Sequence, residues 1–299
     1  MSLPEKTGDL WWLFTRQTLC VTQNESILNA ALLMQKRNFR HLPVITESGR
    51  KLAGVLSAQD VIDSISLALG PRTNSEDILR SLDIPLYRIM SLHPIVVEKG
   101  DGLSEVVKKF VAHNIGALPV VDEGGLIQGI ITLRDLVGLL GTGSEPLGVR
   151  VSELMTRQVT TIDSRSSMAD AVHLMAENRV RRLPIVSDGF KGPIGMLTNK
   201  DILRLLGRIV SGEEVSNFRT KISDIMTRDV ISVEADDDIR VAASRMMIFG
   251  IGGLAVGENS GSILGLITER DLTKRLSETK SVSFLVESMK FELEIMKHN

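Results

Sequence analysis

One string of residue types is written four times along the chain. It runs Gly–apolar–apolar–Ser/Thr–x–x–Asp. The copies are Gly54-Val55-Leu56-Ser57-Ala58-Gln59-Asp60, Gly129-Ile130-Ile131-Thr132-Leu133-Arg134-Asp135, Gly195-Met196-Leu197-Thr198-Asn199-Lys200-Asp201 and Gly265-Leu266-Ile267-Thr268-Glu269-Arg270-Asp271. The aspartates fall at 60, 135, 201 and 271, so successive spacings are 75, 66 and 70 residues. Recurrence at this interval means one supersecondary unit used repeatedly, and it constrains the fold more than composition does.

Each copy carries the same upstream text. Eleven or twelve residues before the glycine stands an apolar triplet: Leu42-Pro43-Val44, Leu118-Pro119-Val120, Leu183-Pro184-Ile185 and Leu254-Ala255-Val256. Further upstream each repeat opens on Leu13-Phe14-Thr15, Ile89-Met90-Ser91, Leu154-Met155-Thr156 or Ile225-Met226-Thr227. From the middle residue of that opening to the aspartate the counts are 46, 45, 46 and 45. The first copy diverges most, with Phe14 where the others have Met.

The third copy predicts the fold of one repeat most cleanly. Val159–Ile162 is a short β-branched run. Ser166–Asn178 has Met168, Ala171, Val172 and Met175 at helical spacing, behind a serine that suits a helix start. Leu183–Val186 and Pro193–Leu197 read as short strands joined by a turn at Asp188-Gly189. Asn199–Leu206 reads as a second helix, entered through Thr198. The order is β-α-β-β-α, with a right-handed crossover expected. So small a sheet cannot cover its own faces, so repeats should pair. Leu140–Val149 reads as a glycine-rich hinge between copies two and three (Gly141, Gly143, Gly148, with Pro146). Ser64–Arg88 joins copies one and two, with a short helix from Ser75 to Leu82. Gly207–Lys221 joins copies three and four.

The repeated unit resembles the cystathionine-β-synthase (CBS) domain. The Met-Thr opening, the Leu-Pro-Val strand and the Gly-apolar-apolar-Thr-x-x-Asp passage into a helix carry the resemblance, across roughly residues 10–277. It implies an α/β (α+β) fold of four β-α-β-β-α repeats, at 10–68, 86–141, 150–208 and 221–277, followed by a tail at 278–299. It further implies that the repeats pair into two pseudo-two-fold Bateman modules with ligand clefts. Outside the repeats stand Leu10-Trp11-Trp12 and a tail whose Phe284, Leu285, Met289, Leu293 and Met296 suit one face of a packing helix.

The repeated polar residues allow two readings. Ser/Thr-x-x-Asp is a capping box, in which hydroxyl and acid satisfy backbone N–H groups at a helix start. The same helix start is a ready phosphate site, and a carboxylate can accept both hydroxyls of a ribose. The resemblance assigns the ribose to Asp60, Asp135, Asp201 and Asp271, and places Ser57, Thr132, Thr198 and Thr268 near phosphate. It adds the opening residues Thr15, Ser91, Thr156 and Thr227 from a partner repeat. Before the Leu-Pro strand, copies one and three carry Arg40-His41 and Arg181-Arg182, where copies two and four have Gly116-Ala117 and Gly252-Gly253. This position resembles the basic pair that holds nucleotide phosphate in the gamma subunit of AMP-activated kinase. The planar arginine fork suits phosphate, although a solvated helix end would look the same. Arg134, Lys200 and Arg270, each preceding its aspartate, are weaker phosphate candidates.

Other chemistries find little support. Lys plus Arg (35) minus Asp plus Glu (37) gives −2, which argues against a mainly electrostatic nucleic-acid binder. One cysteine, Cys20, cannot build a disulfide framework or a zinc site, and the five histidines show no metal spacing. No phosphate-binding Gly-x-x-x-x-Gly-Lys loop or Gly-x-Ser-x-Gly elbow is present. Asp236-Asp237-Asp238 suits a helix N-terminus, and Met175, Met246 and Met247 suit a core. Met1–Gly8 has no signal pattern and no apolar run nears ~18 residues, so the cytoplasm is the simplest location.

The sequence is thus read as a non-catalytic adenine-nucleotide sensor, with AMP first and ADP or ATP as alternatives. It has no catalytic cofactor. Partners would be the nucleotide, an unidentified regulated protein and a second copy, with neither membrane nor nucleic acid. The rival readings are an interaction or regulatory subunit with vestigial clefts and a sensor of S-adenosylmethionine.

Overall fold

The structure is a computed structural model that describes residues 13–16, 18–98, 100–142, 145–190, 192–213, 217–257 and 262–277. Leu10-Trp11-Trp12, Gly143 and the tail at 278–299 lie outside the described residues.

Each repeat contributes a leading helix, two antiparallel strands and an exit helix. The leading helices are Ile27–Arg37, Leu103–His113, Met168–Asn178 and Ile239–Ile248. The exit helices are Ala58–Ala68, Leu133–Gly141, Asn199–Val210 and Glu269–Leu276. Ser26, Ser167 and Asp238 cap three leading helices through their side chains, which fixes where those helices begin. The helix expected from Ser166 therefore starts at Met168. At the other end Asn38, Asn114 and Arg179 close the first three in the left-handed region, at φ 58°, 52° and 51°.

The Leu-Pro strands are His41–Ile45, Ala117–Val121, Arg182–Val186 and Gly253–Gly257. Each pairs antiparallel with the strand leading into the exit helix: Leu52–Ser57, Ile127–Thr132, Gly195–Thr198 and Ile263–Thr268. A short strand before the leading helix adds in parallel, as Ile162–Asp163 does beside Ile185-Val186. Only the end of the expected Val159–Ile162 run joins this ladder. The β-α-β-β-α order is therefore present. The connector helix runs Ser75–Ser81, within the segment expected to be helical.

The opening residues extend the sheet of a neighbouring repeat. Thr15 pairs with Ile130, Ser91 with Val55, Thr156 with Leu266 and Thr227 with Met196. This explains the motif glycines. A Cβ on Gly54, Gly129, Gly195 or Gly265 would stand 2.7, 2.6, 3.0 or 2.5 Å from the carbonyl oxygen of Ser91, Thr15, Thr227 or Thr156. Only glycine lets the opening backbone pass this close.

The chain divides into two compact units, and the division alternates. One, here the odd unit, holds Leu19–Pro94 and Val159–Val230, hence repeats one and three. The even unit holds the described residues within 1–18, 95–158 and 231–299, hence repeats two and four. Each has its own core. Met34, Leu42, Leu56 and Ile62 cluster with Met175, Leu183, Leu197 and Leu206 in the odd unit. Phe110, Leu118, Ile131 and Leu136 cluster with Met246, Leu254, Ile267 and Leu272 in the even unit. Within each unit the leading helix of one repeat packs on the exit helix of the other.

Two expected linker glycines belong to this helix packing. Gly141 ends an exit helix, and its missing side chain admits Met247 and the backbone of Ser244, whose hydroxyl donates to the Gly141 carbonyl at 2.9 Å. Gly207 lies inside an exit helix facing Gln35. Met175 and Met246 are core residues, whereas Met247 is exposed beside Gly141.

Candidate functional site

Strand register brings the candidate residues together at each exit-helix start. His41 lies directly across from Ser57, Arg182 from Thr198, Ala117 from Thr132 and Gly253 from Thr268. The preceding residue is tied in as well. The carbonyls of Arg40, Gly116, Arg181 and Gly252 accept the first backbone N–H of the exit helix at 2.8, 3.2, 3.1 and 3.1 Å. The two basic pairs thus flank the N-termini of the exit helices in repeats one and three. Each opening residue pairs across the sheet with the residue two positions before a cap. Ser91 serves repeat one, Thr15 repeat two, Thr227 repeat three and Thr156 repeat four.

All four motifs form capping boxes. The backbone N–H of Ser57, Thr132, Thr198 and Thr268 donates to Oδ2 of Asp60, Asp135, Asp201 and Asp271 at 2.6, 2.7, 2.8 and 2.8 Å. The threonine hydroxyls donate to the same oxygen at 2.7–2.8 Å, whereas the Ser57 hydroxyl accepts from the Asp60 N–H at 3.3 Å. The caps hold four carboxylates at helix starts.

The surroundings of those carboxylates differ. Burial pushes the Asp60 carboxyl above the ordinary value, with Asp63 adding to the rise; the bonds from Ser57 and the charge of Arg181 oppose it. Arg181, from repeat three, is therefore within electrostatic reach of the repeat-one site. Burial also raises Asp135, where the neighbouring acid Glu269 adds to the rise and Arg134 opposes it. Asp201 is the most buried of the four, and its Oδ1 accepts from Arg204 Nη1 at 2.8 Å.

Within each unit a polar pair joins the two exit-helix starts. In the even unit Arg134 Nε donates to the buried Glu269 at 3.2 Å. In the odd unit Asn199 Nδ2 donates to Gln59 Oε1 at 3.4 Å, and Asn199 Oδ1 is buried without a partner. Arg134 and Arg270 also reach the carbonyls of Gly250 and Asn114. These contacts give both arginines structural roles beyond the weak phosphate candidacy. Sequence reasoning passed over Asn199, Gln59, Glu269 and Arg204. The available signal was polarity: Asn199 and Glu269 occupy the motif position where the other copies carry Ala58 and Leu133.

The CBS domain profile matches residues 8–67, 86–141, 151–208 and 222–278, well over half of the chain. A 33.4 kDa protein of Thermofilum pendens is 32% identical over 282 residues, covering 90% of this chain and 92% of its own. This chain belongs to the CBS-domain family. Its four CBS repeats form two tandem Bateman modules. Protein MJ1225 of Methanocaldococcus jannaschii, described as a proposed archaeal homologue of γ-AMPK, superposes with a TM-score of 0.77 at 25% identity. The match covers 89% of this chain and 98% of MJ1225. CBS domain protein PAE2072 of Pyrobaculum aerophilum was solved complexed with AMP; it is 23% identical with a TM-score of 0.39, covering 45% of this chain and 99% of its own. Among the described residues no group of three or more His, Cys, Asp or Glu could hold a metal ion. None of their helices is long and apolar enough to cross a membrane.

Proposed function

We propose that this protein is a non-catalytic regulatory sensor of adenine nucleotides. AMP is the first ligand, with ADP or ATP as alternatives. Binding would take place at the exit-helix N-termini of repeats one and three. The reading rests on one observation: strand register sets His41 and Arg182 across from Ser57 and Thr198, with Arg40 and Arg181 beside them. Helix dipole, backbone N–H groups and guanidinium donors then converge where a phosphate would bind. Asp60 and Asp201 would accept the ribose hydroxyls, with Ser91 and Thr227 alongside. The family carries regulatory rather than catalytic modules, and nothing in these sites supplies an activated nucleophile. The isolated chain is therefore expected not to hydrolyse ATP. Its setting would be cytoplasmic, its output a regulated protein partner, and its domain limits the four repeats read from the sequence.

In the even unit the second reading applies. Gly116-Ala117 and Gly252-Gly253 offer no side-chain cation, and Arg134 is committed to Glu269. Asp135, Thr132, Asp271 and Thr268, with Thr15 and Thr156 alongside, then serve as caps in vestigial sites. Thermal shift tests the whole reading. A site filled at ~100 times its dissociation constant adds roughly 2.7 kcal/mol, a rise of ~5 °C for a chain of this size. No shift with AMP, ADP or ATP would remove the nucleotide reading, and a shift with S-adenosylmethionine alone would replace it.

A further inference from the structure

The fold leaves the last turn of every leading helix largely open to solvent, just before its left-handed residue. Three repeats fill that turn with residues that are mainly polar or small: Gln35-Lys36-Arg37, Val111-Ala112-His113 and Ala176-Glu177-Asn178. Repeat four has Met247-Ile248-Phe249 there, 43%, 76% and 52% exposed. Met247 packs in part against Gly138 and Gly141 of an exit helix, while Ile248 and Phe249 stand more open. Large apolar side chains gathered at one exposed place mark a docking surface. Arg245 lies three and four positions before Ile248 and Phe249, hence on the same face, and donates to the Ser232 carbonyl.

We propose that this patch is the docking surface for the C-terminal segment of the same chain, residues 278–299. Reach, pattern and charge favour that occupant. The segment follows the exit helix Glu269–Leu276 of the same repeat. That helix starts beside the patch, because the Glu269 N–H donates to the Gly252 carbonyl at 3.1 Å. Its 8 residues carry the chain about 12 Å away. The stretch from Ser277 to Phe284 can span up to about 23 Å, enough to return. The segment then offers Phe284, Leu285, Met289, Leu293 and Met296 at a spacing that suits one apolar face, the complement of an apolar patch. Between 284 and 296 the one base, Lys290, stands against three acids, Glu287, Glu292 and Glu294, so 1 − 3 gives −2. That balance suits Arg245 at the rim. The patch belongs to the even unit, so the proposal does not rest on nucleotide binding in the odd unit.

The test is paramagnetic broadening in full-length protein carrying ¹³C-methyl methionine. Lys290→Cys takes a nitroxide label in a Cys20→Ser background, which removes the native thiol. Met247→Leu identifies the Met247 resonance. The label should broaden the Met247 methyl; Ile248→Asp should remove that broadening, and Ile248→Leu should keep it. In the unlabelled full chain Ile248→Asp should also speed trypsin cleavage after Lys290 by about ten-fold, as an apolar anchor is lost. The proposal falls if Met247 stays sharp, which would leave the patch to a partner of other chemistry, or if the broadening survives Ile248→Asp. It also falls if spin-labelled protein mixed with a separate ¹³C-enriched copy reproduces the broadening, which would assign the patch to a second copy.

Discussion

At its exit-helix starts the odd unit carries Arg40-His41 and Arg181-Arg182 and joins its two helices through the Gln59–Asn199 amide contact. The even unit carries Gly116-Ala117 and Gly252-Gly253 and joins its helices through the Arg134–Glu269 ion pair. Both units use the same capping boxes, the same strand register and the same glycine-permitted crossing of the opening segment. Scaffold and ligand chemistry are therefore separable. The parts common to both units build the fold, and the parts that differ are the candidates for function. Alternation along the chain becomes segregation in space, because the compact units collect repeats one with three and two with four.

The strongest challenge to this contrast is nucleotide affinity. A charge-assisted contact is worth roughly 1.5–3 kcal/mol, so Arg182→Ala should weaken AMP binding by about ten-fold or more. Adenosine, which has no phosphate, should bind parent and variant alike. Asp201→Ala should weaken both ligands. Asp135→Ala and Asp271→Ala should leave AMP affinity intact by calorimetry. If they abolish it while Asp60→Ala and Asp201→Ala do not, the functional assignment of the units is reversed.

Stability should separate the two polar links next. Glu269 is buried and its partner Arg134 is about one-third exposed. Glu269→Ala leaves a partly buried guanidinium without its carboxylate, at a cost of about 1–2 kcal/mol after allowing for solvent screening. Asn199→Ala removes a 3.4 Å bond together with an acceptor that has no partner, so its cost should stay within roughly 0.5 kcal/mol. Chemical denaturation of both variants decides this. Equal losses would mean that the amide contact is worth as much as the ion pair.

Much of this fold was legible in the sequence because each repeat states the same local rules. Ser/Thr-x-x-Asp marks a helix start in every copy, and the apolar triplet marks the strand beside it. The placement of Arg182 near Thr198 also follows, since two adjacent antiparallel strands of known lengths leave little freedom of register. The alternation of the cores was not legible. Helix faces such as Val61, Ile62 and Ile65 are apolar whichever repeat they meet, so periodicity cannot name the partner. Gly141 and Gly207 read as linker residues because glycine at a close helix crossing looks like glycine in a loop. Met247 read as core because its neighbours Met246 and Ile248 are also apolar.

A smaller effect concerns the backbone. Asn38, Asn114 and Arg179 occupy equivalent left-handed positions at φ 58°, 52° and 51°, and Gly250 fills that place in repeat four at φ 63°. Asparagine and glycine tolerate this region, whereas arginine has no local hydrogen bond to offset it. Arg179→Asn should therefore stabilise the odd unit by about 0.5–1 kcal/mol. The matching change Asn114→Arg should cost the even unit a similar amount. Thermal melts of the two variants should move in opposite directions.

The finest discrimination lies in two carboxyl groups that titrate alike for different reasons. Asp60 and Asp135 are both raised above the usual 3.8, chiefly by burial. A raised carboxyl means that the folded state holds its proton more tightly than the unfolded chain. The ionised group therefore costs stability above its folded pKa, and that cost fades as pH falls through it. The charges contributed by the other repeat have opposite signs. Arg181 pulls Asp60 down, whereas Glu269 pushes Asp135 up. Arg181→Gln should raise the Asp60 pKa further, and Glu269→Gln should lower that of Asp135, both read by carboxyl NMR titration. AMP binding at repeat one should weaken as acid protonates Asp60, since a neutral carboxyl no longer accepts both ribose hydroxyls. The Arg181→Gln variant should lose affinity at a higher pH than its parent. No shift in either variant would show that burial alone governs both groups, and shifts of the same sign would equally end the electrostatic contrast between the units.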